Sequence, residues 1–334
     1  MTHSIEEHAD ALCKVFYQRM NESGIGATAV PSSLIYHYTT AAGLRGILEQ
    51  RHIFATHFQY LNDLSEMKYG REFSDEFLRT RLEDERLPLL EGALAIIADS
   101  SQVDLAERYV RMVREERKAF LLINEAVKHI DTSVKQTYYI TSFCESGDRL
   151  SQWRGYANRG GGYAIGFEVK TSQIVSDKGT FFALKVLYDR RDQRKLLDTL
   201  LADAIKSVNS FAISIDDKSQ YDLVIGAHVG TLLQFFDLVC IRFKNDSFSE
   251  EKEWRFFSGI DAGSVEAVKF RDANGLVIPY LEFPITAEGI EIKRIVCGPT
   301  LQPELSRRSV EMLARKNGFG SVEIAHSKIP LGLF

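Results

Sequence analysis

The chain has 334 residues, 45% of them hydrophobic and 26% charged, and its formal net charge is −5. These values are typical of a folded globular protein. They argue against a disordered chain and against a protein that binds nucleic acid mainly through net positive charge. At roughly 150 residues per domain, the length corresponds to two domains or to one elaborated domain.

The four cysteines are widely spaced and form no C-x-x-C pair, which argues against a structural zinc site and against a disulfide framework. Scattered thiols are typical of the reducing cytosol. The opening residues, MTHSIEEHAD, lack the basic and apolar runs of a secretory signal. The apolar stretch 223–236 is shorter than the roughly 20 residues that span a bilayer. We therefore expect a cytoplasmic protein with no membrane partner.

Strand-like and helix-like patterns are distributed along the whole chain. The predicted helices lie at 5–21, 40–50, 149–158, 189–216, 220–243 and 303–317, with three more inside 63–130. The predicted strands lie at 34–39, 52–56, 137–143, 163–169, 181–188, 253–258, 265–270, 276–283, 290–297 and 321–326. Because the two kinds of element do not alternate regularly, a doubly wound sheet is not favoured. The pattern predicts an α+β fold with a mixed or antiparallel sheet at its core.

The domain organisation follows from the same pattern. Residues 1–33 are predicted to form an N-terminal helix and a connector, and residues 34–334 to form one elaborated α+β domain. Large helical insertions are expected at about 63–132 and 189–243. Insertions into a compact core often sit beside the functional site, so the first insertion is the candidate surface for a protein partner.

Several familiar site patterns are absent from the sequence. It contains no GxxxxGK[ST] phosphate loop, no HExxH zinc helix and no GxSxG nucleophile elbow. Arg159 to Gly162 has the glycines of a phosphate cradle but is better explained as a turn. His52 and His57 should point to opposite faces of a strand, so we expect no metal site.

The first polar cluster is Tyr36-His37-Tyr38-Thr39, on a predicted strand. Alternation places Tyr36 and Tyr38 on one face of that strand, and His37 and Thr39 on the other. A face with an imidazole and a hydroxyl can hydrogen-bond a ribose. The alternative is a histidine with a purely structural role.

The second cluster combines residues 60–66 with residues 142–157. Asn62 suits a turn that caps the following helix, which would explain it without any ligand. Trp153 and Tyr156 are three residues apart and share one helical face. They could stack on a planar ring, or they could belong to the core.

The third cluster is Glu250 to Phe257, on and before a predicted strand. Strand alternation would place Glu251, Glu253 and Arg255 on one face. We expect Arg255 to pair with one of the two carboxylates. We also expect Glu253 to be charged, open to a cleft and on the same side as His37. The alternative is a solvated strand face with an ordinary ion pair.

Taken together, these motifs resemble an uncharacterised bacterial and phage family that carries an abi-type, domain-of-unknown-function label. The matching segments are YHYTT at 36–40, GLRGIL at 43–48, YLNDLSE at 60–66, SFCESGDRLSQWRGYA at 142–157, GGYAIGFEV at 161–169, EEKEWRF at 250–256, IKRIVCGP at 292–299 and HSKIPL at 326–331. The last segment departs from the family's form, because Leu331 stands where an arginine follows the proline.

A second resemblance implies an enzymatic activity. A strand histidine, a later aromatic-rich turn and a final strand glutamate are similar to the H-Y-E order of ADP-ribosyltransferases, and Glu251-Lys252-Glu253 is similar to their E-x-E pair. The resemblance implies that Glu253 stabilises the oxocarbenium ion and that Glu251 orients the acceptor. It implies that Tyr60, Tyr69 or Trp153 packs on nicotinamide. The residues implied to bind NAD are His37, Tyr38, Thr39, Tyr60, Asn62, Trp153, Tyr156 and Arg255.

The leading hypothesis is therefore an NAD-consuming ADP-ribosyltransferase or NAD glycohydrolase, in bacterial defence or a toxin system, with NAD as substrate, no metal and an unidentified acceptor. One alternative is a non-catalytic nucleotide-binding sensor or effector module. A second alternative is a nuclease or nucleic-acid binder that uses Arg149, Arg154 and Arg159.

Overall fold

The computed structural model describes residues 30–61, 65–84, 136–156, 161–212, 239–261, 265–273 and 275–330. The predicted helix at 5–21 and most of the predicted helical region 63–130 lie outside these residues. The chain divides into two compact units. The first comprises Met1–Gly26, Ser65–Val134 and Leu187–Asp246, and the second comprises Ala27–Leu64, Lys135–Val186 and Ser247–Phe334.

The second unit contains an 11-stranded sheet. Its strands are β1 (Ile35–Thr39), β2 (His52–His57), β3 (Gln136–Cys144), β4 (Tyr163–Val169), β5 (Gln173–Ser176), β6 (Gly179–Lys185), β7 (Glu253–Asp261), β8 (Lys269–Ala273), β9 (Leu276–Pro284), β10 (Ile290–Cys297) and β11 (Glu323–His326). Among these eleven described strands, only β10 and β11 pair in parallel, and the other pairs are antiparallel. The fold is thus α+β with a mixed sheet, as the sequence predicts.

Strand β3 is the branch point of this sheet. The main path runs β11-β10-β4-β1-β3-β2-β9-β8, and a second branch runs from β3 through β7 and β6 to β5. Strand β7 pairs with β3 along its whole length. On its other edge β3 pairs with β2 around Ile140 and with β1 at Cys144. The end of β3 therefore lies between β1 and β7.

The two faces of the sheet bury different clusters. We call the inner face the one that carries the main core, which contains Ile35, Phe143, Phe167, Phe256 and Phe283. The opposite, outer face carries a smaller cluster around β1 and β4. That cluster contains Tyr36, Tyr38, Cys144, Trp153, Ala164 and Val296. Both follow from strict alternation along the strands.

The described helices are α1 (Ala41–Gln50), α2 (Ser65–Asp84), α3 (Leu150–Tyr156), α4 (Arg190–Ala212) and α5 (Pro303–Lys316). Thr40 caps α1, since its hydroxyl accepts a hydrogen bond from Gly43 N at 3.2 Å. The helix buries Leu44, Ile47 and Leu48 against the inner face. None of the described helices has the length and apolarity that crossing a membrane requires.

The boundaries of several elements differ from the predictions. Strand β6 ends at Lys185 instead of continuing to 188, and β8 begins at Lys269 instead of 265. The short strand β5 was not predicted, because its sequence, Gln-Ile-Val-Ser, does not alternate polar and apolar residues. Two short 3₁₀ helices, Phe58–Tyr60 and Asp246–Glu251, were also not predicted. The second of these changes the geometry of the third cluster.

Gly166 provides a test of the packing on the outer face. It is the direct partner of Tyr36 across β1 and β4, and an added Cβ would lie 2.7 Å from a carbon of the Tyr36 ring. We expect Gly166→Ala to lower the free energy of unfolding by roughly 1–3 kcal/mol, because the buried ring would have to move.

The matched control is Gly46→Ala, on α1, where an added Cβ meets nothing within 4 Å. This change should raise stability by about 0.5–1 kcal/mol, since alanine favours the helix. Urea unfolding of the two variants measures both effects, and equal shifts would contradict the described packing.

Candidate functional site

Segments of all three sequence clusters meet at the end of β3. Tyr36 of β1 is the direct partner of Cys144 of β3, and Cys144 is in turn the direct partner of Glu253 of β7. Neighbouring strands lie about 4.8 Å apart, so the backbones of β1 and β7 are roughly 10 Å apart here. The histidine-bearing strand and the glutamate-bearing strand thus flank the end of β3.

The segment Glu145–Arg149, which we call the 145–149 loop, joins these strands. The Tyr38 hydroxyl donates a hydrogen bond to Ser146 O at 2.8 Å and accepts one from Arg149 N at 3.1 Å. Glu145 N donates to Lys252 O at 3.3 Å, immediately before β7. The role of Tyr38 at this end of the sheet is therefore to hold the loop, with its hydroxyl already engaged.

Asp148 connects the same loop to the closing motif of the sequence. Its carboxylate accepts hydrogen bonds from Trp153 Nε1 at 2.8 Å, Ser327 Oγ at 2.5 Å and Lys328 N at 2.7 Å. Three donors on one carboxylate make a strong, charge-assisted anchor. Residues 142–156 and 326–330, which the sequence shows only as parts of separate motifs, are thereby linked in one structural unit.

Trp153 belongs to the core and does not offer a stacking surface. Its side chain is 1% exposed, and its ring packs edge-on against Tyr38 with centroids 4.7 Å apart. Tyr156, one turn further along α3, is 44% exposed. Of Trp153 and Tyr156, only Tyr156 is exposed to solvent.

Glu253 and Arg255 form a buried bidentate ion pair. The guanidinium donates from Nε to Oε1 at 2.7 Å and from Nη2 to Oε2 at 3.0 Å. The expected pairing of Arg255 with a neighbouring carboxylate is confirmed. The expected opening of Glu253 to a cleft is wrong, because the residue is only 6% exposed.

Glu251 does not share the strand with Glu253, contrary to the alternation assumed from the sequence. It ends the 3₁₀ helix, and Lys252 follows with a left-handed φ of 45°. This conformation interrupts the extended backbone, so that β7 begins only at Glu253. The backbone carbonyl of Glu251 accepts a hydrogen bond from the Cys144 thiol at 2.8 Å, which fixes this turn against the end of β3.

Glu253 and His37 lie on opposite faces of the sheet, so the expectation that they share a side is also wrong. Directly paired residues project to the same face. The row Tyr36–Cys144–Glu253 therefore projects to the outer face, and His37 projects to the inner face beside Phe143. The register between distant strands decides this, and alternation within each strand does not reveal it.

His37 is partly buried at the edge of the inner face. Its Nδ1 lies 3.1 Å from Ser142 O, and its ring centroid lies 5.7 Å from that of Phe143. Burial lowers the pKa of His37 below its usual 6.5, and the hydrogen bond to Ser142 only partly opposes this. A neutral ring that donates from Nδ1 leaves Nε2 as an acceptor. Thr39 is also partly buried, next to α1.

The remaining predicted site residues are not joined to this cluster by the described contacts. Tyr60 is 39% exposed and packs edge-on against His57, near β2. Tyr69 lies in the first unit, where its hydroxyl donates to Gln193 Oε1 at 2.9 Å. Asn62 lies outside the described residues, as does Arg159.

Sequence reasoning missed Glu145 and Lys185. Oε1 of Glu145 accepts hydrogen bonds from Lys185 Nζ at 2.9 Å and from Trp254 Nε1 at 3.0 Å. Burial alone would raise the pKa of the Glu145 carboxyl, but these two hydrogen bonds lower it below its usual value. Glu145 stands inside a quoted motif, but Lys185 and Trp254 are far from it in sequence, so no local signal could have joined them.

The described residues contain no group of three or more His, Cys, Asp or Glu side chains that could hold a metal ion. Among the arginines of the nucleic-acid hypothesis, Arg149 Nη1 lies 4.0 Å from Glu250 Oε2. Arg154 is exposed on α3.

Comparison with known proteins gives one family match. Residues 152–256 match the model of a family described as "Protein of unknown function (DUF2971)". The matched span runs from α3 to Phe256 of β7 and supports the resemblance to an uncharacterised family. Comparisons with curated proteins and with solved structures found no match.

Trp153 and Tyr156 give a matched pair of substitutions on one helix. Trp153→Ala should lower the free energy of unfolding by roughly 3–5 kcal/mol, because it removes a buried aromatic ring. Tyr156→Ala should lower the free energy of unfolding by much less, since that residue is 44% exposed. Chemical unfolding measures both, and a mild effect of Trp153→Ala would place Trp153 outside the core.

The lowered pKa of His37 predicts acid sensitivity. The folded state holds the ring neutral at pH values where the unfolded chain, with a usual pKa of 6.5, begins to take up a proton. The free energy of unfolding should therefore lose nothing to His37 well above pH 6.5. It should decrease as the pH falls below 6.5, because the unfolded chain then takes up a proton that the folded chain does not. His52 and His57 act in the same direction, so the effect must be isolated by substitution. Urea unfolding at pH 7.5 and 5.5 should show a smaller loss for His37→Asn than for the wild type, and equal losses would contradict it.

Proposed function

We propose that this protein cleaves NAD at the nicotinamide–ribose bond, as an ADP-ribosyltransferase or as an NAD glycohydrolase. The observation that supports this proposal is the meeting of β1, which carries His37, with the acidic start of β7 on either side of the end of β3. In this proposal the sheet is an ADP-ribosyltransferase-like core, and the region around the end of β3 binds the nucleotide.

The proposed reaction needs little acid catalysis, because nicotinamide leaves as a neutral molecule. It needs a ligand held in a bent conformation and an ionised carboxylate close to the anomeric carbon, where positive charge develops. This end of the sheet contains carboxylates of the required kind. His37, with Nε2 as acceptor, is suited to bind a ribose hydroxyl.

The second candidate function is nucleotide binding without turnover, as a sensor or effector module. It is favoured by one observation, the buried ion pair that occupies both carboxylate oxygens of Glu253. A glutamate held in this way has the geometry of a structural residue. A binding module would keep His37 and need no catalytic carboxylate.

Nicotinamide release distinguishes the two candidates. The full chain is incubated with NAD, with and without protein and nucleic-acid acceptors, and free nicotinamide is measured by chromatography while affinity for NAD is measured by calorimetry. We expect release by the wild type and a loss of about five- to tenfold for His37→Ala, the value of one ribose hydrogen bond.

The control for this substitution is His52→Ala, a histidine on β2 whose ring faces Glu282 at 3.4 Å. It should leave nicotinamide release unchanged. If the wild type binds NAD but releases no nicotinamide under any of these conditions, the protein is the binding module.

A further inference from the structure

We infer that Glu145, in place of Glu251 or Glu253, is the carboxylate that faces the anomeric carbon of the bound nucleotide. The inference rests on the NAD-cleaving function proposed above. It names a catalytic residue that neither the H-Y-E order nor the E-x-E pair points to.

The first support is the face on which Glu145 lies. It follows Cys144 directly, at the end of β3, and its side chain contacts Trp254 and Lys185. Trp254 is the direct partner of both Phe143 and Lys185, so these residues project to the inner face. His37 projects to the same face. Glu145 is therefore on the side of the sheet where His37 can bind ribose, and Glu253 is not.

The second support is the way the carboxylate is held. Both hydrogen bonds, from Lys185 and from Trp254, end on Oε1. Within the residues that the structure describes, Oε2 accepts no hydrogen bond, and the side chain is 26% exposed. One oxygen thus orients the group while the other remains available to a developing positive charge, which is the preorganisation that electrostatic catalysis requires.

Glu253 has the opposite properties. Its side chain is 8% exposed, and Arg255 occupies both of its oxygens. To approach a ribose it would have to leave a buried ion pair, and an uncompensated charge would remain. Glu253 O accepts a hydrogen bond from Val186 N at 3.0 Å. The pair is therefore a positioning element that fixes the start of β7 and, with it, the Trp254 indole that holds Glu145.

The chemical step balances with NAD and an acceptor alone. The bond between C1′ and the pyridinium nitrogen breaks, and its electron pair leaves with neutral nicotinamide. The Glu145 carboxylate stabilises the oxocarbenium ion without forming a bond. Water or another acceptor then forms the new bond to C1′ and releases a proton to solvent.

The test compares variants of the full chain at saturating NAD. Glu145→Gln keeps the shape and the acceptor of both hydrogen bonds but removes the charge, and should lower kcat about 10²–10³-fold. Its affinity for a carbocyclic NAD analogue, which cannot be cleaved, should stay within about twofold. The control is Glu168→Gln, on β4, where another carboxylate pairs with a lysine, Lys170, at 3.2 Å; its kcat should match the wild type.

Glu253→Gln should lower the unfolding midpoint and change kcat far less than Glu145→Gln does. If Glu145→Gln keeps the wild-type kcat and Glu253→Gln loses it, the inference is overturned while the proposed function stands. If the wild type releases no nicotinamide, both the proposed function and this inference are wrong. Should Glu145→Gln fail to fold, Glu145→Asp retracts the charge by one methylene, and a wild-type kcat for that variant would also overturn the inference.

The pH profile of kcat separates a catalytic role from a structural one. Lys185→Met removes a donor that lowers the pKa of the Glu145 carboxyl. The acidic limb of the profile should therefore move to higher pH in this variant. An unmoved limb with lowered stability would mean that the Glu145–Lys185 pair only supports the fold, and the inference would be overturned.

Discussion

The pairing of β3 with β7 along their full length is the constraint on which the rest of this molecule depends. It sets Cys144 opposite Glu253, and the single pairing of Cys144 with Tyr36 then fixes β1 relative to both strands. Because paired residues share a face, this register decides which acidic and aromatic side chains lie together. A shift of one residue would exchange the faces of every side chain on β7.

A network of hydrogen bonds then fixes the irregular segments to this end of the sheet. Asp148 gathers donors from α3 and from the segment after β11, while Tyr38 engages the backbone of the 145–149 loop. The bonds to the Asp148 carboxylate are charge-assisted and therefore stronger than bonds between neutral groups. The loop that carries Glu145 is thereby tied to β1, to α3 and to the segment after β11.

Two carboxylates at this site illustrate two different uses of an ion pair. Arg255 occupies both oxygens of the buried Glu253, which is an arrangement that favours rigidity. Lys185 and Trp254 approach one oxygen of Glu145, which stays partly exposed. The difference in exposure and in the number of engaged oxygens, more than the sequence motif, distinguishes a structural carboxylate from one that could act on a ligand.

The sequence by itself determined the elements whose signal is local. Strands β4 and β10 cover the predicted residues, α1 begins within one residue of its predicted start, and the α+β class follows from the absence of regular alternation. The sequence also located the segments that meet at the end of β3, because their polar residues interrupt apolar strands. Hydrophobic periodicity and capping depend on residues that are close together in the chain, so both can be identified from a single sequence.

Only the tertiary structure decided which faces those segments present. The left-handed Lys252 removed Glu251 from the strand, the register placed Glu253 away from His37, and packing against Tyr38 assigned Trp153 to the core. Glu145 acquired its partners from β6 and β7, which are distant in sequence. Strand register and long-range ion pairs depend on residues far apart in the chain, so local sequence patterns do not predict these contacts.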